Sequence, residues 1–479
     1  MTDWKQEKVL VMGMRPRGIA MARYLIRQGA RVYLSDPGEC FGGPQAQTLP
    51  DDLSKAEWMP WGAPLQEGAV TWVLKDPSLA WDESWQLTDP GIPVMGDLEF
   101  GYRESHCLNI AIAGSNGKSS AMGCVQRVLE SGQRHVAMAG PEQAPIGSVL
   151  EQSGKCDFLT LQIEAEQLVH TIYFRPSVAV LLNLAPHARY EALDFDAYCH
   201  QMATLFRNQQ AHDWLIIQSE ALAKLHSLGV SIPGKVISFS AQNRRADVFM
   251  DRGLLISRIN GWSGPMFNMA DVGLKGDHHA ENLMAAMLVG HVLKISIESM
   301  KRALVTARPL PGCGVLVREL GSVQYVDDSK SANPLALDRM LRSLRGPNPH
   351  EPHVWLIAGG DSSALDYHHL GPLISRRVKG VHLIGSASKD LQAAWSLFAP
   401  CQIFADPIQA INAAHAKALP HDVVLLSPAC STSGSFRSAE HLGALFQKVV
   451  AQLSPNRAPD AVSLSGSKAV KPMDAEEVS

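Results

Sequence analysis

The sequence of 479 residues lacks several features, and each absence argues against one class of protein. Its eight cysteines are scattered without one C-x-x-C pair, which argues against a zinc site and a disulfide framework. No apolar run approaches the roughly 18 residues of a membrane-spanning helix, and the polar N-terminus shows no signal-peptide core. The net charge of −4 leaves no basic footprint for nucleic acid. We expect a cytoplasmic monomer that binds small molecules and neither nucleic acid nor membranes.

The length and the pattern of apolar runs predict three successive α/β domains. The chain is too long for one hydrophobic core, and a hydrophobic content of 46% with 19% charged residues is ordinary for globular proteins. Apolar runs that fit buried parallel strands alternate with helical patterns, for example at 158–163, 178–183, 354–358, 381–384 and 423–426. We expect domains over 1–103, 104–308 and 309–454, followed by a disordered tail over 455–479.

The first domain opens with a strand at 8–13, a helix at 18–28 and a second strand. This order is typical of a Rossmann-like unit, and Gly13 and Gly18 stand where a dinucleotide-binding turn has glycines. Arg15, however, occupies the middle glycine position, where the backbone must approach a pyrophosphate closely. The sequence therefore predicts a Rossmann-like domain without an ordinary NAD site.

The central domain opens with a glycine-bearing loop between a strand pattern and a helical pattern. Turn N–H groups and a helix N-terminus face phosphate in such a loop, the lysine reaches the terminal phosphates, and Ser119 can hold Mg²⁺. The loop is shortened, because Ile112 stands where an ordinary P-loop has its first glycine. We predict an ATP-binding domain like that of P-loop ATPases. The predicted nucleotide-binding residues are Gly114, Ser115, Asn116, Gly117, Lys118, Ser119 and Ser120.

Three consecutive α/β domains with this loop opening the middle one resemble the Mur ligase family. Further motifs follow in family order at 96–99, 274–282, 310–312, 325–334 and 359–361. The resemblance extends from about residue 8 to residue 453. It also implies that the third domain is Rossmann-like. The segment at 425–431 looks most like the members that join D-glutamate to UDP-N-acetylmuramoyl-L-alanine. The first domain would then bind the UDP precursor and the third the amino acid.

The resemblance implies an ATP-driven amide ligase of peptidoglycan precursor synthesis, with ATP and Mg²⁺ as cofactors. The acceptor carboxylate would take the γ-phosphoryl group, and the amine of the amino acid would attack the resulting acyl phosphate. Lys118 would neutralise phosphate charge, and Lys330 would reach the γ-phosphate when the third domain closes. Asn282 would contact the adenine and Asp328 the ribose, while Thr432 keeps a hydroxyl on the substrate side.

The metal site implied by the resemblance is altered in this sequence. Gln162 stands at the family's metal-binding glutamate, and an amide coordinates Mg²⁺ more weakly than a carboxylate does. Glu164 lies two residues on and, in an extended segment, would project to the same face and substitute; a solvated acidic turn is the alternative. His187 matches the family's metal-ligand histidine, the alternative being a surface-loop histidine. The predicted metal ligands are thus Ser119, Glu164 and His187.

Other expected catalytic residues are replaced as well. Met202 aligns with a carbamylated lysine, Cys313 with an arginine, and Ser363 with the lysine that grips D-glutamate. A D-glutamate ligase using Lys118, His187 and Lys330 remains the principal hypothesis. The alternatives are a catalytically impaired nucleotide-binding homologue that serves as a scaffold or regulator of cell-wall synthesis, and a family ligase with a different amino acid substrate.

Overall fold

The structure is a computed structural model, and it describes residues 2–37, 51–63, 65, 68–79, 91–140, 144–186, 194–274, 276–344, 346–348, 351–361, 365–432 and 434–455. Three separate sheets of five, nine and six strands follow one another along the chain. Most neighbouring strands are parallel, with helices between them, so the predicted α/β class is confirmed. No helix in the described ranges combines the length and the apolar character needed to cross a bilayer.

The first sheet is parallel throughout. Its strands are β1 (Lys8–Met12), β2 (Arg31–Ser35), β3 (Glu57–Trp58), β4 (Trp72–Lys75) and β5 (Val94–Gly96), and its helices are α1 (Pro16–Gln28) and α2 (Asp97–Glu104). The strand order is β3-β2-β1-β4-β5, as in Rossmann-like units. Helix α1 begins two residues before the predicted 18–28 helix, because Pro16 already has the helical φ at the first position. It ends at Gly29, whose φ of 88° is left-handed.

The central sheet carries the phosphate loop at its middle. Its strands are β6 (Leu108–Ala113), β7 (Val136–Ala139), β8 (Phe158–Gln162), β9 (Val178–Leu181), β10 (Trp214–Gln218), β11 (Lys235–Ser240), β12 (Val248–Asp251), β13 (Leu254–Ser257) and β14 (Gly264–Asn268). Its helices are α3 (Lys118–Ser131), α4 (Leu150–Ser153), α5 (Phe195–Ala203), α6 (Ser219–Ser227), α7 (Asp277–Val292) and α8 (Ile297–Val305). The order is β14-β13-β12-β11-β10-β9-β6-β8-β7, with β12, β13 and β14 forming an antiparallel edge. Buried strands flank β6, so the loop after it is held on both sides.

The third sheet is parallel except for one edge strand. Its strands are β15 (Val315–Leu320), β16 (Val323–Asp327), β17 (Val354–Ala358), β18 (Val378–Leu383), β19 (Cys401–Ile403) and β20 (Val423–Leu426). Its helices are α9 (Pro334–Ser343), α10 (Gly371–Arg377), α11 (Ser388–Trp395), α12 (Pro407–Lys417) and α13 (Ala439–Gln452). The order is β15-β16-β20-β17-β18-β19, with β15 antiparallel to β16. The carboxyl ends of β16 and β20 therefore lie side by side and carry Asp328 and Ser427.

The first and central sheets share one hydrophobic core. Residues of β1 and α1 belong to the same buried cluster as residues of β8 and β9. Gly147, in a short 3₁₀ turn of the central domain, packs against the backbone of α1. At the same junction Gln167 Nε2 donates to Asp97 Oδ2 at 2.9 Å, and the Glu99 carboxylate accepts the N–H group of Phe174 at 3.0 Å. This junction fixes the first domain relative to the phosphate loop.

A side chain at Gly147 should loosen this junction. In Gly147→Ala the new Cβ would lie 2.8 Å from the carbonyl carbon and oxygen of Ala20, which are backbone atoms and cannot swing away. We expect a loss of stability of roughly 1–3 kcal/mol, measured as a lower Tm. Gly123→Ala on α3 is the matched control, because its Cβ meets nothing within 4 Å and alanine favours helix by roughly 0.5–1 kcal/mol. Equal Tm values for the two variants would contradict the packing described.

Candidate active site

The phosphate loop runs between strand β6 and helix α3 with its backbone pressed against its neighbours. Gly114 has a φ of +147°, and a Cβ there would lie 3.2 Å from the backbone nitrogen of Asn183. Gly117 has a φ of +86° and forms the N-cap of α3, where a Cβ would lie 2.9 Å from the amide oxygen of Asn282. Both positions therefore require glycine. The free N-terminus of α3 gives the loop the geometry of an anion cradle.

Four side chains meet at the mouth of this cradle. Ser119 Oγ donates to Gln162 Oε1 at 2.8 Å, and Gln162 Nε2 donates to Glu164 Oε1 at 3.3 Å. Lys118 Nζ lies 3.2 Å from Glu164 Oε2 and donates to the Gly114 carbonyl at 2.7 Å. The structure thus brings the Glu164 carboxylate beside Gln162 and Lys118, and its role as a metal ligand stays a prediction. The reason differs from the one expected: β8 ends at Gln162, and Glu164 caps a 3₁₀ turn, Ala165–Leu168, instead of continuing a strand.

The oxygens of this cluster fit a hard divalent cation. Hydroxyl, amide and carboxylate oxygens are the donors that Mg²⁺ prefers, and Glu164 supplies the only formal negative charge among Ser119, Gln162 and Glu164. His187, the third predicted ligand, lies outside the described residues. Within the described ranges no group of three or more His, Cys, Asp or Glu side chains is arranged to hold a metal. The assignment of Mg²⁺ to Ser119 and Glu164 therefore stays a prediction.

A cleft separates the phosphate loop from the third domain. The central domain lines it with Asn116, Gly117, Ser120, His278, His279 and Asn282, and the third domain with Cys313, Asp328, Lys330, Ser331, Ala336, Arg339 and Met340. Asn282 of the 274–282 motif and Asp328 and Lys330 of the 325–334 motif, three residues predicted to contact the nucleotide, thus face one space. Ser115 is turned inwards instead, because its Oγ donates to the Ala185 carbonyl at 2.9 Å and lies 3.1 Å from the Tyr198 hydroxyl.

The third-domain side of the cleft carries a buried carboxyl and an exposed lysine. Burial raises the pKa of Asp328 to about 7, although Ser427 Oγ donates to Asp328 Oδ2 at 2.8 Å. Lys330 Nζ lies 3.2 Å from Glu440 Oε1, its side chain is 39% exposed, and the residue lines the cleft. Asp328 and Lys330 thus share one side of the cleft, and their contacts with a ribose and a terminal phosphate stay predictions.

The opposite wall carries two histidines that the sequence reasoning left without a role. Burial lowers the pKa of His278, and it lowers that of His279 to about 4, so both rings are neutral near pH 7. Neighbouring Glu281 forms an ion pair with Arg339 of the third domain, with Oε2 and Nη2 3.2 Å apart. All three residues lie in the 274–282 motif, which predicted a role for Asn282 alone.

The replaced catalytic positions have different surroundings. Met202 is 1% exposed and belongs to the core shared with the first domain, so it presents no group to the cleft. Cys313 lines the cleft beside Asp328 and Lys330, and burial raises the pKa of its thiol to about 11, which keeps it neutral. Ser363 lies outside the described residues. Thr432 is buried, 6% exposed, and its carbonyl accepts the Phe436 N–H group at 2.9 Å.

Comparisons with known proteins agree with this architecture. The profile of the Mur ligase middle domain matches residues 112–290, and that of the Mur ligase glutamate ligase domain matches residues 315–430. A UDP-N-acetylmuramoylalanine--D-glutamate ligase from Acidobacterium capsulatum is 29% identical over 462 residues, covering 94% of this chain and 97% of the relative. Its counterpart from Pelotomaculum thermopropionicum is 28% identical, covering 94% and 99%.

Solved structures share the fold at low sequence identity. The MurF ligase of Thermotoga maritima in complex with ADP aligns with a TM-score of 0.61 at 14% identity, covering 94% of this chain and 99% of that one. A pseudomurein peptide ligase type C from Methanothermus fervidus aligns with a TM-score of 0.58 at 14% identity, covering 93% and 99%. Three α/β units with a phosphate loop opening the middle one define a nucleotide-binding ligase architecture. The chain belongs to the Mur ligase family.

Replacing Lys118 tests the assignment of the phosphate loop. Lys118 is the only lysine or arginine between Gly114 and Ser120, at the N-terminus of α3. Lys118→Ala should lower ATP turnover by about two decades or more, because the charge developing on the phosphates loses its counter-charge. ATP binding by calorimetry and phosphate release are the measurements. Lys155→Ala, which removes an exposed lysine after α4, is the control. Unchanged affinity and turnover in Lys118→Ala would refute the assignment.

Proposed function

We propose that this protein is an ATP-dependent amide ligase that joins D-glutamate to UDP-N-acetylmuramoyl-L-alanine. The observation that carries the proposal is the single cleft in which the phosphate loop and Asn282 face Asp328 and Lys330. The D-glutamate ligases to which the chain is similar along 94% of its length support the choice of substrates. The proposed reaction belongs to peptidoglycan precursor synthesis.

The described residues suit phosphoryl transfer from ATP as a substrate. The acceptor carboxylate would attack the γ-phosphorus and expel ADP, and the amine of the amino acid would then attack the acyl phosphate and expel phosphate. Lys118, at the N-terminus of α3 beside Glu164, and Lys330, on the third-domain side of the cleft, would hold the phosphates and offset the charge that develops on them. Asp328 and Asn282 would orient the nucleoside. The neutral His278 and His279, on the same side of the cleft as Asn282, would add no charge beside the adenine.

Mg²⁺, if bound, would be held by Ser119 and Glu164 and would neutralise phosphate charge. Gln162 would orient the Ser119 hydroxyl and the Glu164 carboxylate, since it is hydrogen-bonded to both. We further propose that Glu164 supplies the negative charge that Gln162 lacks.

The second candidate is a nucleotide-binding homologue that acts as a scaffold or regulator without catalysis. Two positions favour it: Met202 is sealed in the core, and Cys313 offers a neutral thiol where the family has a cation. Met202 lies away from the cleft, whereas Cys313 lines it together with Ser120 of the phosphate loop, so only the Cys313 replacement would alter a group that faces the nucleotide. A ligase with a different amino acid substrate would show the same pattern.

A panel of amino acids separates these candidates. Phosphate release from ATP is measured with UDP-N-acetylmuramoyl-L-alanine and one amino acid at a time. We expect D-glutamate to stimulate release most, and mass spectrometry to show the corresponding amide. Stimulation by another amino acid alone would indicate a ligase of different specificity. If none stimulates release while calorimetry shows that ATP binds, the ligase proposal fails and the scaffold replaces it.

The metal assignment is tested by exchanging the two neighbouring side chains. Glu164→Gln should raise the Mg²⁺ concentration needed for half-maximal ATP turnover by about tenfold or more, because the variant loses the carboxylate that lies beside Ser119 and Gln162. Gln162→Glu should lower it. Glu166→Gln is the matched control, because Glu166 lies two residues further on and 3.6 Å from Arg17 at the domain junction. Equal Mg²⁺ dependence in the wild type and both site variants would show that neither residue contacts the metal.

A further inference from the structure

We propose that Asn183, Asn116 and Asn333 form a hydrogen-bonded relay that couples docking of the third domain to the conformation of the phosphate loop. The three asparagines are called the asparagine relay below. Asn183 follows β9, Asn116 lies in the loop, and Asn333 is the N-cap of α9 in the third domain. The proposal rests on the proposed function only in taking ATP as the nucleotide.

The first link of the relay fixes the backbone of the loop. Asn183 Oδ1 accepts the N–H group of Asn116 at 2.9 Å, and Asn183 Nδ2 donates to the carbonyl of Asn116 at 2.9 Å. One buried carboxamide thus satisfies both backbone groups of the loop residue. The peptide groups on either side of Asn116 are held, including the one that leads to Gly117 and Lys118.

The second link joins the loop to the third domain. Asn116 Nδ2 donates to Asn333 Oδ1 at 3.1 Å, and Asn333 Nδ2 donates to Asn116 Oδ1 at 2.8 Å. The two residues are 217 positions apart in the chain. While the domains are docked, Asn333 is fully buried and Asn116 is half-buried, so separating the domains would break both hydrogen bonds and expose the two carboxamides to water.

The orientation of these carboxamides follows from backbone groups whose roles are fixed. Asn333 Oδ1 accepts the N–H group of Ala336 at 3.0 Å as the cap of α9, and an N–H group can only donate. Asn333 Nδ2 must therefore face Asn116 Oδ1, which sets the orientation of Asn116 as well. In the same way the N–H and carbonyl of Asn116 set the orientation of Asn183.

The relay gives the third domain a direct effect on the phosphate cradle. When α9 docks, Asn333 holds the Asn116 side chain, and Asn183 holds its backbone one residue before the Gly117 N-cap. A loop held in this way loses less conformational freedom when phosphate binds. Because such coupling is reciprocal, bound ATP should favour docking by the same factor. Asn333 is therefore a positioning residue for ATP binding.

The variant Asn333→Ser isolates this role. Serine is a good helix N-cap, so α9 keeps its cap, but the shorter side chain cannot exchange two hydrogen bonds with Asn116. We expect the Kd of Mg²⁺-ATP, measured by calorimetry on the full chain, to rise about tenfold, which corresponds to the loss of about two hydrogen bonds. Asn268→Ser is the matched control, because Asn268 caps a 3₁₀ turn beyond the edge strand β14 and away from the cleft. The control should bind ATP as the wild type does.

A double-mutant cycle separates coupling from a merely structural effect. If the second link acts as a unit, Asn116→Ala/Asn333→Ser should bind ATP no more weakly than Asn116→Ala alone. Small-angle scattering should show the wild type becoming more compact with ATP, and Asn333→Ser doing so less. Unchanged affinity in Asn333→Ser, or additive losses in the double variant, would overturn the proposal.

Two further arms keep the test decisive. If Asn333→Ser unfolds, Asn333→Asp serves in its place. Aspartate keeps the cap but sets a carboxylate oxygen against Asn116 Oδ1, so this variant should also weaken ATP binding. Wild-type affinity in Asn333→Asp would overturn the relay.

No acceptor or amino acid takes part in these binding measurements. A failed ligase assay would therefore reject the proposed reaction and leave the relay standing. Normal ligation, together with unaltered ATP binding in the variants, would support the reaction and overturn the relay.

Discussion

The close approach of the phosphate loop to the elements around it is the constraint on which the site depends. At Gly114 and Gly117 only the absence of a Cβ allows the loop to lie against Asn183 and Asn282. The segment after β9 and helix α7 supply the neighbours of these two glycines, and the third domain reaches the same loop through Asn333. One short loop thus contacts groups from three regions of the chain, and a shift of the loop would disturb all of these contacts.

Local patterns predicted the elements that carry the loop, because strand β6 is apolar except for Asn109 and the Gly-Lys pair is typical of a helix N-terminus. The edge strands β12, β13 and β14 were not predicted, because Asp251, Arg252 and Gly253 interrupt the apolar pattern. The contacts of Asn116 with Asn333 have no local signal either, since tertiary folding alone brings together residues 217 positions apart. Asn333-Pro334 could be identified from sequence only as a helix start.

The positions at which the sequence departs from the pattern of the resemblance lie in different surroundings. Gln162 remains in the network beside the phosphate loop, where Glu164 supplies a carboxylate 3.2 Å from Lys118. Met202, by contrast, is buried in the core shared with the first domain, and Cys313 presents a neutral thiol to the cleft. The phosphate loop keeps Lys118, while the replacements lie beside that loop at Gln162, in the cleft at Cys313 and in the core at Met202.

The most direct test of the central claim follows the oxygen atoms of the acceptor. UDP-N-acetylmuramoyl-L-alanine with oxygen-18 in its alanine carboxylate is incubated with ATP, Mg²⁺ and D-glutamate, and the released phosphate is analysed by mass spectrometry. If the acceptor carboxylate attacks ATP and the amine then displaces phosphate, each phosphate released with amide formation carries one oxygen-18 atom. Phosphate without the label would mean that water, and not the acceptor, attacks ATP, which would contradict the account.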